Sequence, residues 1–268
     1  MRIERKNPPT KATSLDGTTI AYDSVGNGPP LVIVVGAFND RSTGAPLADA
    51  LASRFTVYTY DRRGRGESGD SPPYAIDREI EDLASIVEAA GGTASVFGFS
   101  SGAVLALRAS VTEISIDKLV LFGAPIVTDD SRPAVPVDIA QRVKALVEQG
   151  KRGDAVELFQ LEAIGMPPQI VERMRHAPFR PGLEAVAHTL FNDLTIIAGS
   201  PNPLDLLGSV AMPTLVIDGG DGPPWIGHTA RVIAELLPDG KHVSISGLTQ
   251  DMRPELLVGP TTDFLLAG

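Results

Sequence analysis

The stretch Ala94-Ser95-Val96-Phe97-Gly98-Phe99-Ser100-Ser101-Gly102 joins an apolar strand, Ala94 to Phe97, to a helix-forming run, Ser101 to Thr112, through G-x-S-x-G. Small residues on either side of a serine let the backbone turn sharply from strand to helix, and such a turn pushes the hydroxyl into a cleft. A strand feeding a helix this directly is half of a βαβ unit, which demands a parallel sheet with helices on its faces. The plainer alternative is an ordinary strand-to-helix turn with a buried serine.

The flanking sequence repeats the pattern. Ser14 to Tyr22 reads as a hairpin about Asp16-Gly17. Leu31-Val32-Ile33-Val34-Val35 is a continuous β-branched run, as in a strand buried on both faces. Helices are expected over Ala45–Ala52 and Ala75–Ala90, the second ending at Gly91-Gly92, with strands over Phe55–Tyr60 and Lys118–Phe122. From about Pro133 to Asn202 the spacing is helical only, clearest over Val137–Gln149, Asp154–Ala163 and Leu183–Ile197. Strands return at Thr214–Asp218 and His242–Ser246, with helices at Thr229–Leu237 and Glu255–Leu266. The chain is thus expected to be α/β: residues 1–132 and 203–268 form the core, and 133–202 form a helical cap over the C-terminal edge of the sheet, where α/β sites lie.

Composition removes several classes of function. The 268 residues carry a net charge of −10, which disfavours nucleic acid and anionic membranes as partners. There is no cysteine, so thiol nucleophiles, disulfides and Cys-ligated metals are excluded. Hydrophobic residues make up 43%, enough for a packed core, without a run of about 20 apolar residues. Met1 to Lys6 is charged and has no apolar stretch behind it, so no signal peptide is read there and a cytoplasmic protein is expected. No His or carboxylate cluster has metal spacing, so no metal is expected. Gly64-Arg65-Gly66-Glu67-Ser68-Gly69 satisfies G-x-G-x-x-G, but Pro72-Pro73 bars the helix that a dinucleotide site needs, so no cofactor is expected.

These motifs together resemble the α/β-hydrolase superfamily along nearly the whole chain. Tyr60-Asp61-Arg62-Arg63-Gly64-Arg65-Gly66-Glu67-Ser68 resembles its D-x-R-G-x-G-x-S turn, and Leu31 to Ala37 its oxyanion strand, with Val35 in place of the usual histidine. Pro213 to Ile217 resembles the strand before its acid. Asp130-Ser131-Arg132-Pro133, Gly165-Met166-Pro167, Gly219-Gly220 and Pro223-Pro224-Trp225 are similar to pieces of a small bacterial subgroup with a helical cap. The resemblance implies Ser100 as the nucleophile position and the N–H groups of Ala37 and Ser101 as oxyanion donors. It also implies a histidine in the loop after the last strand, where Gly247-Leu248-Thr249-Gln250-Asp251 places Gln250. An acid is implied after the Thr214 strand, where Asp221 lies one residue early, or after the Lys118 strand, where the first acids are Asp129 and Asp130.

Glutamine donates and accepts hydrogen bonds but carries no proton away, and a serine without a base is a weak nucleophile. The first reading is therefore a cofactor-independent enzyme on a small apolar molecule by non-hydrolytic chemistry: lyase, cyclase or isomerase. The second is a serine esterase with a relocated base, His188, or a histidine changed to Gln250 by engineering. The third is a ligand-binding protein without catalysis. Of the other histidines, His242 opens a strand and reads as structural. Phe38, Phe99, His188 and Trp225 are the expected substrate contacts, set among further aromatics at Phe159, Phe179 and Phe191.

Overall fold

The computed structural model describes residues 8–130 and 135–267. The Met1–Lys6 stretch, Ser131-Arg132-Pro133 and the expected core–cap boundary at 132/133 lie outside them. The first strands, β1 (Thr10–Thr13) and β2 (Thr19–Val25), form the expected hairpin, although its turn is longer. Ser14 N–H donates to Thr18 O at 2.8 Å, and Asp16 accepts from Thr18 N–H at 2.9 Å. Then follow β3 (Pro30–Val34), α1 (Arg41–Leu51), β4 (Thr56–Tyr60), α2 (Ile76–Ala89), β5 (Ala94–Phe99), α3 (Ser101–Ala109) and β6 (Ile116–Phe122).

A helical segment separates β6 from β7 (Thr214–Gly219). It contains α4 (Ile139–Glu148), α5 (Arg152–Leu158), α6 (Pro168–Arg175), α7 (Arg180–Ala185), α8 (Leu190–Ala198) and the short α9 (Pro203–Leu206). Phe159–Ile164 prolongs α5 in wider turns that end at Gly165, whose φ of 76° suits only glycine without strain. The continuous helix expected over Leu183–Ile197 is broken: α7 stops at Ala185, and a tight turn over Ala187–Thr189 precedes α8. After β7 come α10 (Pro224–Leu236), β8 (Gly240–Ile245) and α11 (Pro254–Leu266). None of the described helices is long and apolar enough to cross a membrane.

The eight strands form one sheet in the order β1-β2-β4-β3-β5-β6-β7-β8. β4, β3, β5, β6, β7 and β8 run parallel, and β2 is antiparallel to β1 and β4. Strand alternation divides the core. Val32, Val34, Val96, Leu119, Leu121 and Val216 face α2, α3 and α10, meeting Leu83, Ile86, Leu105 and Ile233. Leu31, Ile33, Val57, Phe97, Val120, Phe122 and Ile217 point to the other face and meet Leu47 and Leu51 of α1 and Leu257 and Phe264 of α11. Because both sets are buried, the strands read as continuous apolar runs rather than as alternating ones.

A third apolar cluster, Ile139, Val143, Ala155, Val156, Phe159, Ala187, Leu190 and Leu194, holds the helical segment together. Ala37 and Phe38, from the loop after β3, pack against it. α8 also packs on α3. The segment is thereby seated beside the C-terminal ends of the central strands.

Candidate functional site

Ser100 lies between the last residue of β5 and the first of α3, with φ 56° and ψ −126°. Among the described residues, only Phe38, with φ 64°, joins it as a non-glycine in the left-handed half of backbone space. Such conformations cost about 1–3 kcal/mol each and persist where surrounding packing enforces them. The enforcement is visible. The Ser100 N–H donates to Phe122 O at 2.9 Å, tying the turn to the end of β6. A Cβ on Gly98 would lie 2.5 Å from Ala103 Cα, and one on Gly36 would lie 2.8 Å from Ser100 Cβ and 2.9 Å from Phe99 O. Glycine at these positions lets strand, turn and helix close on one another. Gly36→Ala is therefore expected to destabilise the fold by about 1–3 kcal/mol, as overpacking does. It should also displace Ser100; thermal unfolding and serine labelling of the variant measure the two effects.

The loop from Val35 to Asn39 faces this turn. Ser101 is the first residue of α3, so its N–H has no acceptor within the helix and is available to a ligand. Behind the loop lies a buried ionic cluster. Arg62 donates through Nε and Nη2 to Glu79 at 2.7 and 2.8 Å, and through Nη1 to Asp193 Oδ1 at 2.7 Å and Val35 O at 3.3 Å. Arg65 Nη2 donates to Asp193 Oδ2 at 2.6 Å, while Nη1 donates to Gly36 O at 2.6 Å and Asn39 O at 3.1 Å. Ser101 Oγ donates to Asp193 Oδ1 at 2.7 Å. Two positive and two negative side chains thus balance one another out of solvent, as buried charges must. Burial alone would raise the Asp193 carboxyl, but the guanidinium groups of Arg65 and Arg62 and the Ser101 hydroxyl outweigh it and hold the group below the usual carboxylate range. The sequence reading missed Asp193. Its one signal is a carboxylate set between apolar residues at the start of α8, Leu190-Phe191-Asn192-Asp193-Leu194.

The G-x-G-x-x-G stretch serves a turn. Glu67 N–H donates to Asp61 Oδ2 at 2.9 Å, Ser68 Oγ donates to Asp61 O at 2.6 Å, and Asp61 also accepts from Arg41. Gly66, at φ 53°, packs its Cα directly on the Asp61 carboxylate.

Gln250 comes from the loop after β8. Its amide lies on Gly123, just past β6, where a Cβ would stand 2.8 Å from Gln250 Nε2. Phe122, the neighbour of Gly123, is the acceptor for Ser100 N–H, so Gln250 and Ser100 approach the same strand end. Gln250 Nε2 is buried without a hydrogen-bond partner, a donor directed to nothing in the protein. Asp251 beside it is engaged within its own loop, accepting from Thr249 Oγ1 at 2.9 Å and pairing with Arg253 at 2.9 Å.

No histidine among the described residues hydrogen-bonds to Ser100. His188 was the expected relocated base and substrate contact, and it makes no hydrogen bond to Ser100. It is exposed in the turn that interrupts the helix, with Nε2 at 2.8 Å from Gly64 O. His242 Nε2 meets Asp218 at 2.6 Å, His228 Nε2 meets Asp129 at 2.6 Å, and His176 meets Glu172 at 3.7 Å. Of the candidate acids, Asp129 therefore faces His228, and Asp221 and Asp130 are exposed.

The aromatic expectations divide. Phe38 is half-buried and meets Phe159 edge-on at 5.3 Å, joining the loop to the helical segment. Phe99 is corrected to core: it stacks on Phe122 at 5.2 Å, because as the last residue of β5 it turns toward α1 and α11. Trp225 is half-buried in the first turn of α10, and Phe179 is exposed. An apolar pocket of about 500 Å³ opens between the segment after β6 and α8, with Ile126, Val135, Ile139, Leu194 and Ile197 in its wall. Among the described residues no cluster of three or more His, Asp or Glu could hold a metal ion.

Comparison with known proteins adds the following. The family model described as "Alpha/beta hydrolase family" matches residues 31–255. An alpha/beta hydrolase from Sphaerobacter thermophilus DSM 20745 is 48% identical, with a TM-score of 0.91 over 96% of this chain and 100% of that one. A pimeloyl-[acyl-carrier protein] methyl ester esterase from Xylella fastidiosa (strain M23) is 27% identical over 245 residues, covering 79% of this chain and 94% of that protein. The enol-lactonase from Burkholderia xenovorans LB400, 18% identical, shares the fold with a TM-score of 0.68 over 88% and 91% of the two chains.

Proposed function

Because the chain belongs to the alpha/beta hydrolase family, we propose that it is a hydrolase that opens ester-type acyl bonds of a small, largely apolar molecule through Ser100. The observation that carries this reading is the Ser100 backbone itself. A strained φ of 56°, enforced by the close packing at Gly36 and Gly98, places Ser100 at the N-terminal mouth of α3. The esterase relative supports hydrolysis over the lyase, cyclase or isomerase chemistry that Gln250 alone suggests.

In the proposed reaction Ser100 Oγ bonds to the substrate's carbonyl carbon while the N–H groups of Ser101 and Ala37 hold the developing oxyanion. The carbon–oxygen bond to the alcohol then breaks, and the alcohol leaves with the hydroxyl proton. Water returns the acid and free Ser100. The Gln250 amide donates a hydrogen bond to the substrate and removes no proton. Acylation by a good leaving group therefore outpaces deacylation, and acyl-Ser100 accumulates.

A fluorophosphonate probe tests this, since it phosphonylates a serine whose hydroxyl attacks phosphorus while oxyanion donors hold the phosphonyl oxygen. Without a base the reaction is slow, so labelling is followed over hours at high probe concentration. Labelling should map to Ser100 and vanish in Ser100→Ala. The unpartnered Gln250 donor favours one other reading, a site that holds its ligand unchanged. Absence of label on folded protein, with an apolar ligand recovered intact, would select it.

A further inference from the structure

We infer that Asp193, on α8 of the helical segment, is a positioning residue for acyl transfer at Ser100, locking the helical segment, the Gly36 loop and the residue after the nucleophile into one unit. The inference rests on the hydrolase reading above and deepens it.

One carboxylate makes every link. Its Oδ1 accepts from Ser101 Oγ at 2.7 Å and Arg62 Nη1 at 2.7 Å, and its Oδ2 accepts from Arg65 Nη2 at 2.6 Å. Ser101 supplies one proposed oxyanion donor, so Asp193 fixes the first turn of α3 from the side-chain direction. The second donor belongs to Ala37, and the carbonyls flanking its loop are held by the same two guanidinium groups. Arg65 Nη1 grips Gly36 O at 2.6 Å and Asn39 O at 3.1 Å, and Arg62 Nη1 reaches Val35 O at 3.3 Å. Each arginine therefore spans from Asp193 to the loop. The carboxylate sets the spacing between the two donors without touching substrate.

The arrangement is stiff. Asp193 is fully buried, and Arg62 and Arg65 are 1% and 2% exposed. Charge-assisted bonds of 2.6–2.7 Å at both carboxylate oxygens leave it no alternative rotamer that keeps its partners. Glu79 completes the charge balance and receives the Tyr74 hydroxyl at 3.0 Å. The C-terminal end of α8 is tied down separately, by Arg108 donating to Ile196 O at 2.8 Å and Gly199 O at 2.7 Å. Loss of the Asp193 contacts thus loosens the donors while α8 stays attached.

The test follows fluorophosphonate labelling of Ser100 in the full-length wild type, Asp193→Asn and Ser101→Ala, with the limiting rate, half-saturating concentration and final labelled fraction read separately. Displacing oxyanion donors by a fraction of an ångström is expected to cut the limiting rate of Asp193→Asn about 10- to 100-fold. Half-saturation should stay within about 3-fold, and complete labelling should still be reached. A merely structural residue would instead lower the final fraction and leave the rate of the folded portion unchanged, which would overturn the inference. Ser101→Ala keeps its N–H and all ion pairs, so it reports even where Asp193→Asn folds poorly. It should lose about 3- to 10-fold in rate, and an unchanged rate there would also contradict the role. No Ser100 label in the wild type would overturn the hydrolase reading and this inference together, whereas equal rates in wild type and variants would overturn this inference alone.

Discussion

Gln250→His is expected to speed release of the acyl group from Ser100 by about 10²- to 10⁴-fold, the range that a positioned general base contributes. Gln250 already lies against Gly123 at the strand end that anchors the Ser100 turn, so an imidazole there enters a site of the right location and similar volume. Water attack on acyl-Ser100 needs a proton acceptor and must expel the poor serine alkoxide leaving group, and glutamine offers no acceptor. Acylation should accelerate too, since Ser100 also gives up a proton, but the good leaving group of an activated ester keeps that step the faster of the two. The check is stopped-flow release of p-nitrophenol from p-nitrophenyl acetate. The wild type should give a burst followed by a slow phase, and the variant should give steady turnover. Equal slow phases in the two proteins would mean that deacylation is not limited by the absence of a base at position 250.

Arg62→Met should be the most destabilising single change, by about 3–5 kcal/mol. Glu79 would remain buried without a cation, and Asp193 would keep only Arg65. Against the 5–15 kcal/mol that such domains possess, that loss brings the protein close to unfolding at 37 °C. The contribution of Asp193 to the pH dependence has a definite sign. The Asp193 carboxyl is held below its ordinary value, so the folded state binds fewer protons than the unfolded one in that range. Its contribution is complete above about pH 4 and is lost as pH falls through the lowered value. Asp16 adds to the same window: burial opposes ionisation, but hydrogen bonds from Thr18 and Arg63 bring its pKa down to about 2. Removing Arg62 takes away part of what holds Asp193 ionised, so acid unfolding of the variant should begin at higher pH. Urea titrations of both proteins between pH 3 and pH 7 measure the two effects.

The sheet was legible because strands buried on both faces leave an unbroken apolar record, and Leu31–Val35, Val96–Phe97 and Val216–Ile217 all carry it. Ser100 was legible because both glycines of G-x-S-x-G are required by close contacts, Gly98 against Ala103 Cα and Gly102 against Val34 O. The helical segment was harder. α6 opens at Pro167-Pro168 and has a single buried residue, Val171, too little for a periodic signal. His188 was placed mid-helix because Leu183, Ala187, Leu190 and Leu194 keep helical spacing across a break that the backbone makes at Val186. Phe99 looked like a pocket residue, but the last position of β5 points into the core rather than at Ser100. Asp193 was invisible for a physical reason: its partner Arg62 is 131 residues away in sequence. Only tertiary packing of α8 on α3 brings them together.

Intact-mass spectrometry of the wild-type protein mixed with an activated short-chain ester, followed over time beside Ser100→Ala, tests the central claim most directly. A one-acyl mass increase that forms within seconds, persists for minutes and is absent from Ser100→Ala is the predicted result. Folded wild-type protein that never gains the acyl mass, and releases no alcohol, would contradict it.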